Sequence, residues 1–337
     1  MSNEYHILCS TDDNYAQHCA VLMCSVYCNN SGNIIFHIVE SDLSDDNKIK
    51  LRKIADDYNQ RVFFHNFTLK NKEFYKLGIG AAGSIVTYYR IFITSIIDDP
   101  SVDRILYLDC DIVVNSDISE LFKLNFVDCP IAAVRDVLYP VKDKHRHNIG
   151  LGYNDRYFNA GVLLFNLSMW RQNHYEEKLI EFCKEDNYAY FADQDALNSV
   201  FRNRWLELSP CWNRFNLVKY KDVYFKAKVD ELDFIYEPKI VHYASPTARP
   251  WMNLRFIPFS RIYDKYLSCT PWCGTGKIDV EKKRRYKAII DVKLSNFLFR
   301  SPLLVRIILT SVLDIMLFVF HIVRHKSLRY YSACRII

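Results

Sequence analysis

A buried strand that ends abruptly in two carboxylates constrains the fold of this chain more than any other feature. Ile105-Leu-Tyr-Leu108 is the apolar run of a strand covered on both faces, and Asp109 and Asp111 follow it directly. In an extended chain, side chains two residues apart project from the same face, so the two carboxylates point together and Cys110 points the other way. Like charges held this close repel unless a cation lies between them or one carboxylate takes up a proton, and oxygen ligands suit Mg²⁺ or Mn²⁺. The run therefore predicts a metal site that could hold a diphosphate, although such a pair can also simply cap a turn.

Strands and helices alternate along the chain. Short apolar runs are followed by segments in which apolar residues recur at helical spacing. This alternation predicts an α/β fold with a mostly parallel central sheet and helices on both faces. Strands are predicted at 6–10, 34–39, 62–64, 105–108, 131–134, 161–166 and 240–243, and helices at 16–27, 44–59, 86–97, 170–183 and 192–201.

A second polar cluster, Thr11-Asp-Asp-Asn-Tyr15, follows the first predicted strand. In parallel sheets, ligands bind at the carboxyl ends of the strands, near the point where the strand order switches. We therefore expect this cluster and the pair Asp109 and Asp111 to share one ligand site.

Composition limits how phosphates could be bound. The chain has 337 residues, room for one large α/β domain and an appendage, and only 9 are Gly. Neither a G-x-G-x-x-G nor a Walker sequence is present. Nucleotide phosphates would therefore have to be held by a metal and by cationic side chains.

The 11 cysteines are scattered, without the regular spacing of a disulfide framework. The first residues show neither the basic nor the long apolar segment of a signal peptide, so we expect reduced thiols in a cytoplasm. Small buried apolar residues are the favoured interpretation of these cysteines. A zinc site is the alternative, with Cys19, Cys24, Cys28, Cys269 and Cys273 as its candidate ligands.

Six short motifs follow one another between residues 5 and 255. They are Ser10-Thr-Asp-Asp-Asn-Tyr15, Thr87-Tyr-Tyr-Arg90, Leu106-Tyr-Leu-Asp-Cys-Asp-Ile112, Phe158-Asn-Ala-Gly-Val162, Asp193-Gln-Asp195 and His242-Tyr-Ala-Ser-Pro-Thr-Ala-Arg-Pro-Trp251. Together they resemble glycosyltransferase family 8, the retaining bacterial galactosyl- and glucosyltransferases with a GT-A fold. The resemblance implies a GT-A-like catalytic domain at residues 1–265.

The resemblance also implies roles for the matching residues. Asp109, Asp111 and His242 would hold Mn²⁺, or Mg²⁺, against the donor diphosphate, and imidazole is a ligand that Mn²⁺ accepts. Gln194 and Asp193 would be catalytic. The UDP-hexose donor would be bound by Ser10, Asp12, Asn14, Tyr15, Arg90, Asp109, Asn159, Ala160, Gly161, Asp193, Gln194, Ser245 and Arg249.

The last motif departs from the family pattern at two positions. The family usually has a Gly shortly after the His and a Lys before Pro-Trp, whereas this chain has Ser245 and Arg249 there and one extra residue. Arg can bind phosphate through two parallel hydrogen bonds, so diphosphate binding is expected to survive.

Retention of the anomeric configuration requires either a covalent intermediate or attack on the face that the leaving group occupies. The amide oxygen of Gln194 carries no charge and is a poor nucleophile. We therefore favour same-face attack, in which an oxygen of the leaving diphosphate takes the proton of the acceptor hydroxyl.

The basic charge of the chain is concentrated at its C-terminal end. Residues 281–337 carry 12 Lys and Arg against 3 Asp and Glu, a net of +9, which leaves −4 for residues 1–280 because the total is +5. The apolar run 307–323 is short for a membrane span and contains Asp314. We expect residues 266–337 to be a basic, amphipathic, helical region that associates with a membrane, with residues 281–337 lying on its inner leaflet. The alternative is a helix pair that packs on the body.

The favoured function is a hexosyltransferase that moves galactose or glucose from a UDP-sugar to a glycan or lipid-linked glycan, as in lipopolysaccharide or capsule synthesis. The expected location is the cytoplasmic face of the membrane, and no nucleic acid partner is expected. Two other classes remain as alternatives. Asp109 and Asp111 also fit the Asp-x-Asp-x-Val motif of haloacid-dehalogenase-like phosphatases, and the chain could be a non-catalytic sugar-nucleotide-binding protein.

Overall fold

The computed structural model describes residues 4–40, 42–67, 85–126, 128–136, 143–152, 154–184, 192–216 and 238–300. Its strands are β1 (Glu4–Thr11), β2 (Asn33–Glu40), β3 (Arg61–Asn66), β4 (Arg104–Leu108), β5 (Ile112–Val114), β6 (Ile131–Arg135), β7 (Phe158–Asn166), β8 (Leu206–Glu207), β9 (Arg214–Phe215) and β10 (Ile240–His242).

The larger sheet has the order β3-β2-β1-β4-β7-β6-β8 within the described residues. Strands β1 to β4 run parallel to their neighbours among themselves, β6 and β8 are also parallel, and β7 is antiparallel to both β4 and β6. Because β1 and β4 are adjacent and parallel, their carboxyl ends lie side by side. The two polar clusters that follow these strands are therefore brought to one edge of the sheet.

The helices are α1 (Ala16–Asn29), α2 (Asp45–Asp57), α3 (Ile93–Ile96), α4 (Ser119–Phe122), α5 (Asp143–Asn148), α6 (Leu167–Gln172), α7 (Tyr175–Lys184), α8 (Ala192–Val200), α9 (Ser260–Leu267) and α10 (Lys282–Arg300), with 3₁₀ helices at Ile85–Phe92 and Pro210–Asn213. They cover both faces of the sheet. Leu106 and Leu108 of β4 pack in one apolar cluster with α1, whereas Ile105 and Tyr107 pack in a second cluster with α8. Successive side chains of β4 are therefore buried against helices on opposite faces of the sheet, which is why every residue of the run is apolar.

A smaller sheet, with the order β5-β10-β9, sets the position of His242. Strands β10 and β5 are antiparallel, with His242 opposite Ile112. The Tyr243 amide also donates to the Asp111 carbonyl oxygen at 2.8 Å. This pairing carries a histidine from late in the chain to the two carboxylates that follow β4.

Two predicted helices differ from the structure. The predicted helix 86–97 is a 3₁₀ helix over Ile85–Phe92 followed by the single turn α3. The predicted helix 170–183 is divided into α6 and α7 at His174, which has a left-handed backbone conformation with φ of 52°. A residue in that conformation cannot continue a right-handed helix.

The C-terminal helices pack on the body of the protein. Tyr263 and Tyr266 of α9 are buried, and their hydroxyl groups contact His18 and Asn29 of α1 at 2.6 and 2.7 Å. Val292 of α10 packs in a small apolar cluster beside the body. The proposed domain boundary after residue 265 therefore lies inside α9, and that division of the chain stays a prediction.

No helix in the described part of the chain is long and apolar enough to cross a membrane. The apolar run 307–323, on which part of the membrane hypothesis depends, lies outside the described residues.

Three histidines on adjacent strands form a hydrogen-bonded row. His37 of β2 lies 3.0 Å from His6 of β1 through Nε2 and 3.0 Å from His65 of β3 through Nδ1. Burial lowers the pKa of His37 to about 3. The ring is therefore neutral in the folded protein at every pH at which the protein would normally be studied.

Acid is expected to destabilise the fold through His37. The pKa of its ring is about 6.5 in the unfolded chain and about 3 in the folded protein, so the unfolded chain binds more protons. Stability is therefore lost as the pH falls below about 6.5, by about 2 kcal/mol between pH 7 and pH 5. Urea unfolding at the two pH values measures this loss, which should be smaller in His37→Phe and unchanged in the exposed control His174→Asn. An equal loss in His37→Phe would contradict the assignment.

Candidate active site

Asp109, Asp111 and His242 meet where the two sheets join. His242 Nε2 lies 3.2 Å from Asp111 Oδ1 and 3.8 Å from Asp109 Oδ2. One ligand atom from each residue falls within 4.8 Å of the other two, a spacing that a single metal ion could bridge. Two carboxylate oxygens and one imidazole nitrogen are a donor set that suits Mn²⁺ and leaves coordination positions free.

Asp111 and His242 each stabilise the charged form of the other. Burial by itself would raise the pKa of Asp111, but His242 and Arg249 lower it to about 2. Burial would likewise lower the pKa of His242, but Asp111 and Asp109 raise it above its usual value. The Asp111 carboxylate is thus ionised at neutral pH and stabilises a positive charge beside it. A metal would compete with a proton on His242, so metal binding is expected to weaken in acid.

Hydrogen bonds of two asparagine side chains determine which ring nitrogen of His242 carries the proton. Asn159 Oδ1 accepts from the Gly161 amide at 2.9 Å and from Asn213 Nδ2 at 2.8 Å. Asn213 Oδ1 must then face His242 Nδ1, 2.9 Å away. An amide oxygen accepts only, so Nδ1 carries the proton and Nε2 presents a lone pair to the metal position when the ring is neutral.

Gly161 lies directly against this group. A Cβ added to Gly161 would lie 2.8 Å from Asp109 Oδ2 and closer still to His242 Cε1. A glycine also lets a donor sugar approach the backbone closely, and that role stays a prediction. The structure adds a second reason for a glycine here, because the side chains of Asp109 and His242 fill the space beside it.

Arg90 is a buried cation that joins three parts of the site. Its guanidinium lies 3.1 Å from Asp109 Oδ1 and 2.8 Å from Asp193 Oδ2, donates to the Ala160 carbonyl oxygen, and stacks 4.4 Å above the Tyr107 ring. Burial opposes its charge, but Asp109 and Asp193 raise the pKa of Arg90 above its usual value. Burial raises the pKa of Asp193 to about 6 even with Arg90 beside it.

Gln194 is held by four hydrogen bonds. Its Oε1 accepts from the Ala160 amide at 2.9 Å and from Asn159 Nδ2 at 3.2 Å. Its Nε2 donates to Asp136 Oδ2 at 3.3 Å and to the Tyr157 hydroxyl at 3.2 Å. Both lone pairs of the amide oxygen are therefore engaged, so the side chain is firmly oriented but poorly suited to nucleophilic attack.

A cleft of about 240 Å³ opens in front of the two carboxylates. Ser10 Oγ is buried at this cleft and has no hydrogen-bond partner in the described structure. At the rim, Arg249 donates to the Tyr15 hydroxyl and lies 3.6 Å from Asp111 Oδ2. The cleft is lined by Ser10, Thr11, Asp12, Tyr15, Val86, Thr87, Arg90, Tyr107, Asp109, Cys110, Asp111 and Arg249.

Most of the predicted site residues that do not line the cleft contact its walls. Asn159, Ala160, Gly161, Asp193, Gln194 and His242 touch Arg90, Asp109 or one another, as described above. Two predicted residues do not reach the cleft. Asn14 is exposed in the turn before α1, and Ser245 is bonded to Thr247 at 3.0 Å, which in turn donates to Asp291 of α10. Their roles in donor binding stay predictions.

Three residues that hydrogen-bond to key side chains of the site were not predicted from the sequence. Asn213 orients His242, Asp136 accepts from Gln194, and the Tyr107 hydroxyl donates to Asp109 Oδ1 at 2.9 Å. Tyr107 could have been found, because it shares a strand face with Asp109. Asn213 and Asp136 follow no motif or periodic pattern that would single them out.

Comparison with a solved structure identifies the fold. The galactosyltransferase LgtC, solved with donor and acceptor sugar analogues, superposes with a TM-score of 0.64 at 24% identity, over 84% of this chain and 99% of LgtC. The protein therefore has the GT-A glycosyltransferase fold, as predicted.

Comparison of sequences identifies the family. The glycosyl transferase family 8 model matches residues 6–255, so the chain belongs to this family. General stress protein A from Bacillus subtilis (strain 168) is 29% identical over 280 residues, 80% of this chain and 96% of its own length. Lipopolysaccharide 1,2-glucosyltransferase from Escherichia coli (strain K12) is 27% identical over 290 residues, 83% of each chain. The enzyme class is thus a glycosyltransferase, and the phosphatase alternative is not supported.

Proposed function

We propose that the protein is a retaining hexosyltransferase that moves galactose or glucose from a UDP-sugar to a hydroxyl group of a cell-surface glycan. The observation that carries this proposal is the convergence of Asp109, Asp111 and His242 beside a cleft that the two carboxylates line. The family match and the names of relatives such as the lipopolysaccharide glucosyltransferase support the choice of donor and product.

Asp109, Asp111 and His242 would hold Mn²⁺, with Mg²⁺ as the alternative ion. When bound, such an ion supplies positive charge that stabilises the diphosphate leaving group. Arg249 already lies beside Asp111, and its planar guanidinium can contact phosphate oxygens through two hydrogen bonds. Ser10, Asp12 and Tyr15 line the same cleft and would contact the nucleoside.

The donor sugar would lie over Arg90, Asp193 and the first residues of β7. Asp193 is a buried carboxylate whose Oδ2 lies 2.8 Å from the Arg90 guanidinium, and a carboxylate oxygen keeps a second lone pair to which a sugar hydroxyl could donate. Asn159, Ala160 and Gln194 are rigidly connected to one another and would set the position of the anomeric carbon.

We propose same-face attack for the transfer step. The bond between the anomeric carbon and the diphosphate oxygen breaks as the bond to the acceptor oxygen forms. The acceptor proton moves to an oxygen of the departing UDP. Gln194 then acts by positioning the sugar, which agrees with the engagement of both lone pairs of its amide oxygen.

Replacing Gln194 by Ala is expected to lower kcat by roughly 100-fold or less without eliminating turnover. The sugar would be positioned less precisely, but no covalent step of the reaction would be removed. Steady-state kinetics with the preferred donor measure this, with Gln172→Ala on the exposed end of α6 as the control. Complete loss of turnover, together with a glycosyl adduct on Asp193 detected by mass spectrometry, would contradict same-face attack.

The proposal as a whole is tested by UDP release from UDP-galactose and UDP-glucose, with and without Mn²⁺. We expect release from one of these donors that depends on Mn²⁺ and is lost in Asp111→Asn but kept in the exposed control Asp128→Asn. Release from neither donor, or release that survives EDTA and Asp111→Asn, would overturn it. Binding of a UDP-sugar without turnover would instead favour the non-catalytic alternative.

We further propose that α10 lies on the cytoplasmic face of a membrane, where a lipid-linked acceptor would be found. Its outward face carries Tyr286, Ile290 and Phe297, which are 71%, 64% and 53% exposed and recur at helical spacing. Arg284, Arg285, Lys287 and Lys293 are exposed beside them. Exposed aromatic and aliphatic side chains framed by cations complement an anionic lipid surface.

Sedimentation with vesicles tests this proposal. The protein is expected to bind phosphatidylglycerol vesicles, to bind phosphatidylcholine vesicles weakly, and to lose binding when Tyr286, Ile290 and Phe297 are changed to Ser. A matched variant with Ser at the exposed positions Ile49 and Phe63, on other parts of the surface, should bind normally. Equal binding by both variants would place the contact elsewhere.

A further inference from the structure

Three buried thiols lie directly behind the two carboxylates. Cys9 is on β1, Cys19 is on α1, and Cys110 stands between Asp109 and Asp111 in the chain. All three are free cysteines and buried. Their sulfur atoms lie within 4.8 Å of one another, and the Cys9 and Cys19 sulfurs are 3.7 Å apart. The proposed transfer reaction uses none of the three thiols, and all three lie in the apolar cluster between α1 and the sheet.

The spacing of the sulfur atoms suits one metal ion. A metal–sulfur bond of about 2.3 Å places sulfur atoms about 3.8 Å apart in a tetrahedral site and about 4.0 Å apart in a trigonal one. The cluster is therefore already close to the size that such an ion requires. The third sulfur, of Cys110, lies 3.2 Å from the Ser10 carbonyl oxygen and within 4.8 Å of the other two sulfurs.

The chemistry of the cluster differs from that of the neighbouring carboxylate site. Thiolates are soft ligands that select ions such as Cu(I), whereas carboxylates select Mg²⁺ and Mn²⁺. The three thiols are buried, so an ion that binds them as thiolates must replace their protons, which pass to the solvent.

We propose that Cys9, Cys19 and Cys110 form a second, soft-metal site of the Cu(I) class, distinct from the carboxylate site in front of it. Binding replaces thiol protons by the ion and involves no change of oxidation state. Because Cys110 is flanked by both metal-binding carboxylates, an ion that draws its sulfur inward displaces the backbone that carries them. Occupation of the thiol site therefore inhibits the enzyme.

Cadmium is the probe for this site, because Cd²⁺ bound to thiolate absorbs in the ultraviolet. The parent protein for the titration carries Ser at the cysteines that are exposed, partly exposed or outside the described residues, namely Cys28, Cys129, Cys183, Cys211, Cys269, Cys273 and Cys334. It is kept under reductant with excess Mn²⁺, which occupies the carboxylate site. We expect one equivalent of Cd²⁺ to bind with sulfur-to-cadmium absorption and to raise Tm.

Two residues of the same helix provide a matched pair of variants. Cys19→Ala should abolish the absorption and the rise in Tm, whereas Cys24→Ala, also buried in α1 but outside the cluster, should keep both. Circular dichroism verifies folding, and Cys9→Ser serves as a second cluster variant. Absence of the absorption in the parent, or its persistence in Cys19→Ala and Cys9→Ser, would overturn the proposal. So would a Cys9–Cys19 disulfide found by mass spectrometry in the reduced, Cd²⁺-treated sample.

Inhibition is measured separately from binding. If the protein releases UDP as proposed, Cd²⁺ at the titrated concentration should suppress release in the parent and in Cys24→Ala but not in Cys19→Ala. Equal suppression in all three would contradict the inhibitory role. If no UDP release is found at all, the proposed transferase function fails while the absorption titration still decides the thiol site.

Discussion

Replacing Arg90 by Met is expected to lower the free energy of unfolding by about 3–5 kcal/mol at pH 8, in the absence of divalent metal. The Arg90 guanidinium lies between Asp109 and Asp193, and its removal would leave two carboxylates close together without a cation. Denaturant unfolding in EDTA measures the loss. Burial already raises the pKa of Asp193 to about 6, so the loss should shrink toward pH 5.5, where Asp193 can take up a proton and relieve the repulsion.

A matched control separates this effect from the loss of a surface ion pair. Arg135 is 2.8 Å from Glu207 in an exposed pair, and Arg135→Met should cost no more than about 1 kcal/mol. Arg90→Lys keeps the positive charge but not the planar group that reaches both carboxylates. Its loss of unfolding free energy is therefore expected to lie between those of Arg135→Met and Arg90→Met. If Arg90→Met were no less stable than Arg135→Met, the buried ion pairs would not hold the site together.

The arrangement of the central sheet followed from local sequence patterns. Apolar runs such as Ile7–Cys9 and Ile105–Leu108 are buried on both faces, and the residues after them meet at one sheet edge as predicted. The boundaries of 85–97 were harder to predict. Apolar spacing reports which side chains are buried, and it does not distinguish the hydrogen-bond pattern of a 3₁₀ helix from that of an α-helix.

The active site was only partly predictable, and the reason is geometric. Asp109 and Asp111 are joined by the pleat of one strand, so the sequence alone places them together. His242 reaches them through the antiparallel pairing of β10 with β5, which no local pattern encodes, and only the family resemblance suggested it. Asn213 was missed for the same reason, since its role depends on a contact between distant segments.

Replacing Gly161 by Ala is expected to lower kcat/KM by roughly 100-fold or more, because the added methyl group would displace Asp109 and His242 from each other. The methyl carbon would lie 2.8 Å from Asp109 Oδ2, which is closer than side-chain carbons come to any neighbour. Overpacking of this kind costs about 1–3 kcal/mol of stability, so the protein should still fold. Mn²⁺ affinity, measured by electron paramagnetic resonance of the free ion, should fall together with activity.

Gly276 provides the control for this substitution. A Cβ at Gly276 would meet no atom within 4 Å, and its backbone conformation is open to alanine, so Gly276→Ala should keep both Mn²⁺ affinity and activity. If Gly161→Ala kept normal Mn²⁺ affinity but lost activity, the glycine would be needed for the close approach of the donor sugar to the backbone. If Gly161→Ala kept both normal Mn²⁺ affinity and normal activity, His242 and Asp109 could not be packed against Gly161 as described. The geometry of the proposed metal site would then be contradicted as well.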